Sequence, residues 1–166
     1  AKNIAPFSVY AKRFPSKVDI VYPGAANITP EIAEMLGKIK TKMYHFAFDF
    51  MRNEERILKG LKTFIEVVNP NPKICPVYCL VNYDTTFEED YYRIKKIQEV
   101  GLIPDVRIYR KTSLPKRHIL KDLQRWSNNR FVYQSCPDFW EYAPRVEGKT
   151  KEIYTEEYER CKKYGI

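Results

Sequence analysis

Stretches of apolar, β-forming residues alternate with amphipathic stretches at a spacing of roughly thirty residues, the length of one strand–helix unit. This alternation limits the fold more than any other feature, because a strand followed by a crossover helix pairs with the next strand in parallel. VDIVY (Val18–Tyr22) predicts a first strand ending at Pro23-Gly24. Thr29 then caps a helix whose first position is Pro30, where a missing N–H costs nothing. Ile32, Leu36 and Ile39 form its apolar stripe. MYHFAFDF (Met43–Phe50) predicts the second strand, and Ile57, Leu58, Leu61, Phe64 and Ile65 its helix. PVYCLV (Pro76–Val81) predicts the third, followed by a helix opened by a Thr86–Glu89 capping box. DVRIY (Asp105–Tyr109) predicts the fourth, leading to a helix carrying Ile119, Leu123 and Trp126. FVYQ (Phe131–Gln134) is read as a fifth strand, and Thr155–Lys163 as a C-terminal helix.

The expected fold class is therefore α/β, with about four to five parallel strands and helices on the outer face. Four or five units are too few to close an eight-stranded barrel, so a partial (β/α) barrel or a doubly wound sheet is the choice. The 166 residues suit one domain, with residues from about 143 to 166 as a helical extension.

Composition sets further bounds. A hydrophobic share of 44% with 30% charged residues describes a globular chain, not a disordered one. No apolar run approaches the ~18 residues of a membrane span, and no signal peptide is read at the start, so a cytoplasmic, membrane-free setting is expected. The opening AKNIAPFSVYAKRF is polar and irregular and lacks an initiating Met, which suggests a fragment of a longer protein. Lys and Arg number 29 against 21 Asp and Glu, for a net charge of +8. That balance permits a nucleic-acid partner without requiring one. Cys75 and Cys79 lie about 13 Å apart along a strand, too far for one tetrahedral ion, and are read as buried packing thiols.

The strand ends carry the polar residues, where both candidate architectures place ligands. Along the second strand Tyr44, Phe46 and Phe48 share one face, while His45, Ala47 and Asp49 share the other. Asp49 is placed either to accept hydrogen bonds from a ligand's hydroxyl pair or to build a turn; His45, deeper, reads as an interior histidine. Along the fourth strand Arg107 and Tyr109 share the face opposite Val106 and Ile108: either they line the concave side, as a carboxylate partner and a ring to stack on a flat ligand, or Arg107 lies on the outer face between helices. The third strand is apolar on both faces, so its parity is open. It ends in Asn82, whose carboxamide offers a donor and an acceptor. Turn and capping chemistry account for Asp84-Thr85-Thr86.

Four segments together, FAFDFMRNEERILKGL, VYCLVNYDTTFEEDYYRIKKIQEVG, PDVRIY and LQRWSNNRFVYQSCPDFWEY, resemble the later half of a radical S-adenosylmethionine protein. More narrowly they resemble a phage-associated group of Fe–S oxidoreductases akin to pyruvate formate-lyase activating enzymes. The resemblance runs from about Val18 to Tyr142. It implies a partial (β/α) barrel holding a [4Fe–4S] cluster and S-adenosylmethionine. The cofactor would be cleaved to a 5′-deoxyadenosyl radical that takes hydrogen from an unknown substrate. The family's C-x3-C-x2-C loop and Gly-rich motif are both missing from this chain. The expectation is that two strands lie upstream of Ala1 and that this chain, inactive alone, supplies the third to sixth. In that register Asp49 contacts the ribose, Asn82 lies near the ribose and the methionine carboxylate, and Tyr109 lies near the adenine. Arg107 joins them as a cofactor-binding candidate on the same face, and VYPGAAN matches poorly and contributes no residue. The alternative is a non-catalytic basic domain, with PKRHILKDLQRWSNNRFVY as a nucleic-acid surface that interleaves cations and aromatics.

Overall fold

A computed structural model of the chain describes residues 18–22 and 24–166. The opening segment and Pro23, read above as a fragment start and as the end of the first strand, lie outside the described residues. Four parallel strands form one sheet in the order β1-β2-β3-β4: β1 (Val18–Val21), β2 (Thr41–Ala47), β3 (Pro76–Val81) and β4 (Ile103–Ile108). Seven helices are described: α1 (Pro30–Gly37), α2 (Glu54–Val68), α3 (Phe87–Glu99), α4 (Ile119–Asn128), α5 (Arg130–Ser135), α6 (Thr150–Ile153) and α7 (Thr155–Tyr164). The sequential strand order has a topological consequence. Right-handed crossovers that always advance in one direction deliver their helices to one side of a sheet, whereas a doubly wound sheet reverses its order to cover both.

The helix starts follow from local chemistry. Thr29 Oγ1 accepts the Ile32 N–H at 3.3 Å, with Pro30 at the first position of α1. The Thr86 N–H donates to the Glu89 carboxylate at 3.0 Å and the Glu89 N–H returns a bond to Thr86 Oγ1 at 3.3 Å, so the expected capping box opens α3. His118 caps α4 by accepting the Leu120 N–H on Nδ1 at 3.2 Å.

The chain divides into two compact units; the first runs up to Val77 and takes in Ile97–Ile103. Its core forms where the aromatic face of β2 meets α2. Phe64 packs edge-on against Tyr44 at 5.0 Å and Phe46 at 4.8 Å, and all three rings are buried. The alternate residues His45, Ala47 and Asp49 are half-buried, as the period of two predicts. β1 pairs with β2 through Ile20 opposite Tyr44 and Val21 opposite His45. Gly60 of α2 sits so close to the turn at Ala25 that a Cβ there would lie 1.9 Å from the Ala25 carbonyl oxygen.

The second unit comprises Tyr78–Lys96 and Pro104–Ile166. Tyr91, Trp126, Phe139 and Trp140 are its buried aromatic centre, linked by ring contacts such as Tyr91–Trp140 at 5.5 Å and Trp126–Phe139 at 5.6 Å. The parity of β3, open in the sequence, is now decided: Cys79 and Val81 are buried and Tyr78 and Leu80 are half-buried. Cys75 and Cys79 are both fully buried, and burial pushes the Cys75 thiol up to about 12, as packing thiols require. No described helix is long and apolar enough to cross a membrane.

One strand expectation is corrected. Phe131–Gln134 lies in helix α5, not in a fifth strand. Asn129 Oδ1 accepts the N–H groups of Phe131 at 3.1 Å and Val132 at 3.3 Å, and this cap turns a locally β-prone run into a helical turn. Trp126 Nε1 then reaches past it to donate to the Cys136 carbonyl at 2.7 Å.

Candidate functional site

β3 and β4 end side by side in the second unit, and their last residues lock together. The Tyr109 N–H donates to the Val81 carbonyl at 2.9 Å, and Asn82 Nδ2 donates to the Tyr109 carbonyl at 3.0 Å. Three non-glycine residues here have positive φ: Asn82 at 65°, Asp84 at 54° and Arg110 at 48°. Asn and Asp accept this conformation readily, but Arg does so only when its surroundings impose it. The cluster therefore marks a rim held against its local preference.

A buried ion pair underneath holds the rim. Asp90, in the first turn of α3, accepts from the Asn82 N–H at 2.9 Å and from the Thr85 hydroxyl at 2.7 Å. Arg93, one turn on, donates to the Asp90 carboxylate at 2.5 Å and to the Leu80 carbonyl at 2.7 Å. Both side chains are essentially inaccessible, at 0% and 1%. Burial pushes the Asp90 carboxyl up, against the opposing pull of Thr85, Asn82 and Arg93. One pair of charges thus satisfies the end of β3, the turn after it and the start of α3.

The rim presents two rings. Tyr83 and Tyr109 meet edge-to-face at 4.8 Å and remain 43% and 37% exposed. Arg110 lies over the Tyr109 ring at 5.2 Å. Asn82 spends its amide N–H on Tyr109, which leaves Oδ1 to accept a bond from a ligand. A flat heterocycle bearing an amino group or hydroxyls matches this combination of exposed rings, a carboxamide acceptor and a cation.

Of the four residues singled out from the sequence, Asn82 and Tyr109 come together. Arg107 lies on the open side of β4, as its parity predicts, and is 60% exposed. Its guanidinium is committed elsewhere, however: it donates to Asp105 at 2.8 Å and lies over the Tyr78 ring at 5.2 Å. Its hydrogen bond to Asp105 raises its pKa further. Asp49 follows the end of β2 in the first unit and is half-buried. Tyr83 and the Asp90–Arg93 pair were not among the residues singled out from the sequence. The spacing of that pair, three residues apart on a helix, was the available signal.

The residues at the β3–β4 rim offer a ligand two exposed rings, a carboxamide oxygen and a cation. They do not fit an iron–sulfur cluster: among the described residues no group of three or more His, Cys, Asp or Glu is placed to hold a metal. Cys75, Cys79 and Cys161 are buried, and burial holds the Cys161 thiol, like that of Cys75, at about 12. No family model, no curated protein and no solved structure matches this chain.

Proposed function

We propose that this chain is the nucleoside-binding part of a radical S-adenosylmethionine enzyme, with the rim at the carboxyl ends of β3 and β4 receiving the adenosyl group. The observation that carries the reading is the Asn82–Tyr109 link, which sets an acceptor and two solvent-facing rings at adjacent strand ends. A parallel sheet in sequential order agrees with a segment of a (β/α) barrel, whose ligands sit at that end of the strands. S-adenosylmethionine would supply radical chemistry only beside an iron–sulfur cluster, which the described residues do not fit. The role of this chain's own residues is to bind and orient. Asn82 Oδ1 accepts from the nucleoside, the Tyr83 and Tyr109 rings flank its base, and the Asp90–Arg93 pair keeps Asn82 in its left-handed conformation. Cluster ligands would have to come from residues other than those described, and Asp49, which lies in the first unit, is no part of the proposed rim.

Calorimetric titration with S-adenosylmethionine and with S-adenosylhomocysteine tests the reading. Weak, saturable binding of both is expected, lost in Asn82→Ala and weakened in Tyr83→Ala. Absence of binding to the unaltered chain, or equal affinity in Asn82→Ala, would overturn the assignment of the rim.

A further inference from the structure

The second unit also carries a basic cavity of about 710 Å³, distinct from the rim residues in its lining. Six cations line it: Lys111, Lys116, Arg117, Lys121, Arg125 and Arg145. They come from four places in the chain: the turn after β4, the loop before α4, one face of α4 and the segment before α6. Lys121 and Arg125 lie four residues apart and so share that helix face. Like charges drawn together from separated segments repel one another, and folding tolerates the arrangement without deriving stability from it.

The cavity's charge is largely uncompensated. Its one lining carboxylate, Asp122, is 2% exposed; it accepts from Arg145 at 2.6 Å and from the Tyr154 hydroxyl at 2.6 Å, and the 60% exposed Arg125 lies 3.7 Å from its other oxygen, so one carboxylate faces two of the six cations. Lys111 and Lys121 donate to neutral oxygens, the Gln124 side chain at 2.6 Å and the Leu114 carbonyl at 3.0 Å. Lys116 meets no carboxylate among the described residues. Arg117 pairs with Glu147 at 2.7 Å, but both partners are exposed, at 72% and 47%, and such a pair is worth little and exchanges readily.

The amides lining the cavity are committed to the fold. Asn128 accepts from the Val106 N–H at 2.8 Å and donates to the Val106 carbonyl at 3.0 Å, while Gln124 donates to that carbonyl at 2.8 Å and accepts from Lys111. Asn129 uses its side-chain oxygen to cap α5. Gln124 and Asn128 are therefore occupied, and the Asn129 amide nitrogen is the one amide donor left at the cavity, too little to read a base sequence. Two residues beyond Asn129 stands Phe131, whose ring is 83% exposed on a helix turn that Asn129 itself caps. An exposed phenyl two residues along the chain from the lining of a basic cavity supplies what single strands need: cations follow the phosphates, and a ring stacks on a base.

From this cavity we infer that the second unit binds single-stranded nucleic acid through its phosphodiester backbone, with little sequence preference, using Lys116, Arg117, Lys121 and Arg125 for phosphates and Phe131 for stacking. The site stands apart from the proposed nucleoside rim and does not depend on it. The volume exceeds what one phosphate fills, and charge complementarity spread over four segments suits a polyanion.

Fluorescence anisotropy with labelled oligothymidylate and oligoadenylate of about 15 nucleotides, from about 50 to 200 mM salt, tests this. Both strands should bind with similar affinity, which falls steeply with salt. Lys116→Ala and Lys121→Ala should each reduce the slope of log K against log salt by about 0.7. Phe131→Ala should weaken binding about 5- to 150-fold while leaving the slope unchanged. Phe131→Leu keeps apolar bulk without the aromatic face, and gives the same answer should the alanine variant fold poorly. Asn82→Ala should bind oligonucleotide as the unaltered chain does, which separates this site from the rim. Absent binding, a flat salt response, indifference to both Phe131 variants, or equal affinity for a duplex of the same length would overturn the inference.

Discussion

Removing the carboxylate of Asp90 should cost more stability than almost any other single change in the chain. The residue accepts three hydrogen bonds, from Asn82, Thr85 and Arg93, in a place that water does not reach. Asp90→Ala leaves the Arg93 guanidinium buried without its counter-charge, and breaking one side of such a pair costs about 3–5 kcal/mol. The Asn82 N–H also loses its acceptor, a penalty of about 1–3 kcal/mol unless water enters the gap. Taking about 4 kcal/mol overall, a chain of 166 residues should lose roughly 8–16 °C in Tm. The raised Asp90 pKa sharpens the point: desolvation already works against the ionised form, so the intact pair yields little net stability, yet its breakage is costly. A double-mutant cycle read by urea denaturation distinguishes these statements. Asp90→Ala and Arg93→Met should each destabilise strongly, and the double variant should recover at least about 2 kcal/mol relative to their sum. Additivity within about 0.5 kcal/mol would refute the claim that the two charges act as one unit.

Other outcomes follow from single contacts. Gly60→Ala should destabilise by about 1–3 kcal/mol despite alanine's better helix propensity, because its Cβ would meet the Ala25 carbonyl at 1.9 Å and only backbone movement relieves that; a thermal melt at or above the original value would contradict it. Asn82→Gly and Asn82→Ala separate backbone from side chain: both lose the bond to Tyr109, but only alanine adds about 1 kcal/mol for the φ of 65°, so glycine should be the more stable in urea. Burial and then Lys121 lower the pKa of His118 below its ordinary 6.5, so the folded state favours the neutral imidazole that caps α4. The cap is intact above 6.5 and is lost as pH falls through the lowered value. Protection of the Leu120 amide against hydrogen exchange should fall in that acid range, and a flat profile is expected in His118→Asn.

Local interactions made much of this legible in advance. The caps at Thr29 and at Thr86–Glu89 use partners three residues away, so any chain containing those letters tends to form them. Parity along β2 and β4 follows from the pleat, which is why Phe46 and Val106 are buried while Arg107, on the alternate face, is exposed. Asn82 and Tyr109 were singled out by a rule about strand ends that needs only the order of elements, and the structure joins them by a hydrogen bond.

What required the tertiary structure were interactions between distant residues whose energies no local pattern reports. Phe131–Gln134 has strand-forming letters on either reading, and the Asn129 cap with the Trp126–Cys136 bond beneath decided for helix. Arg107 had the right face, yet a neighbouring carboxylate and the Tyr78 ring claimed its guanidinium. Lys116, Arg117, Lys121 and Arg125 already stand together in PKRHILKDLQRWSNNRFVY; what folding added was the concavity, with Lys111 and the distant Arg145 on its lining. The alternation of strand and helix is a period-two and period-3.6 property of neighbours, which the letters alone determine. Which charges meet is a property of the packed chain, because burial and pairing set their energies only once distant segments have closed around them.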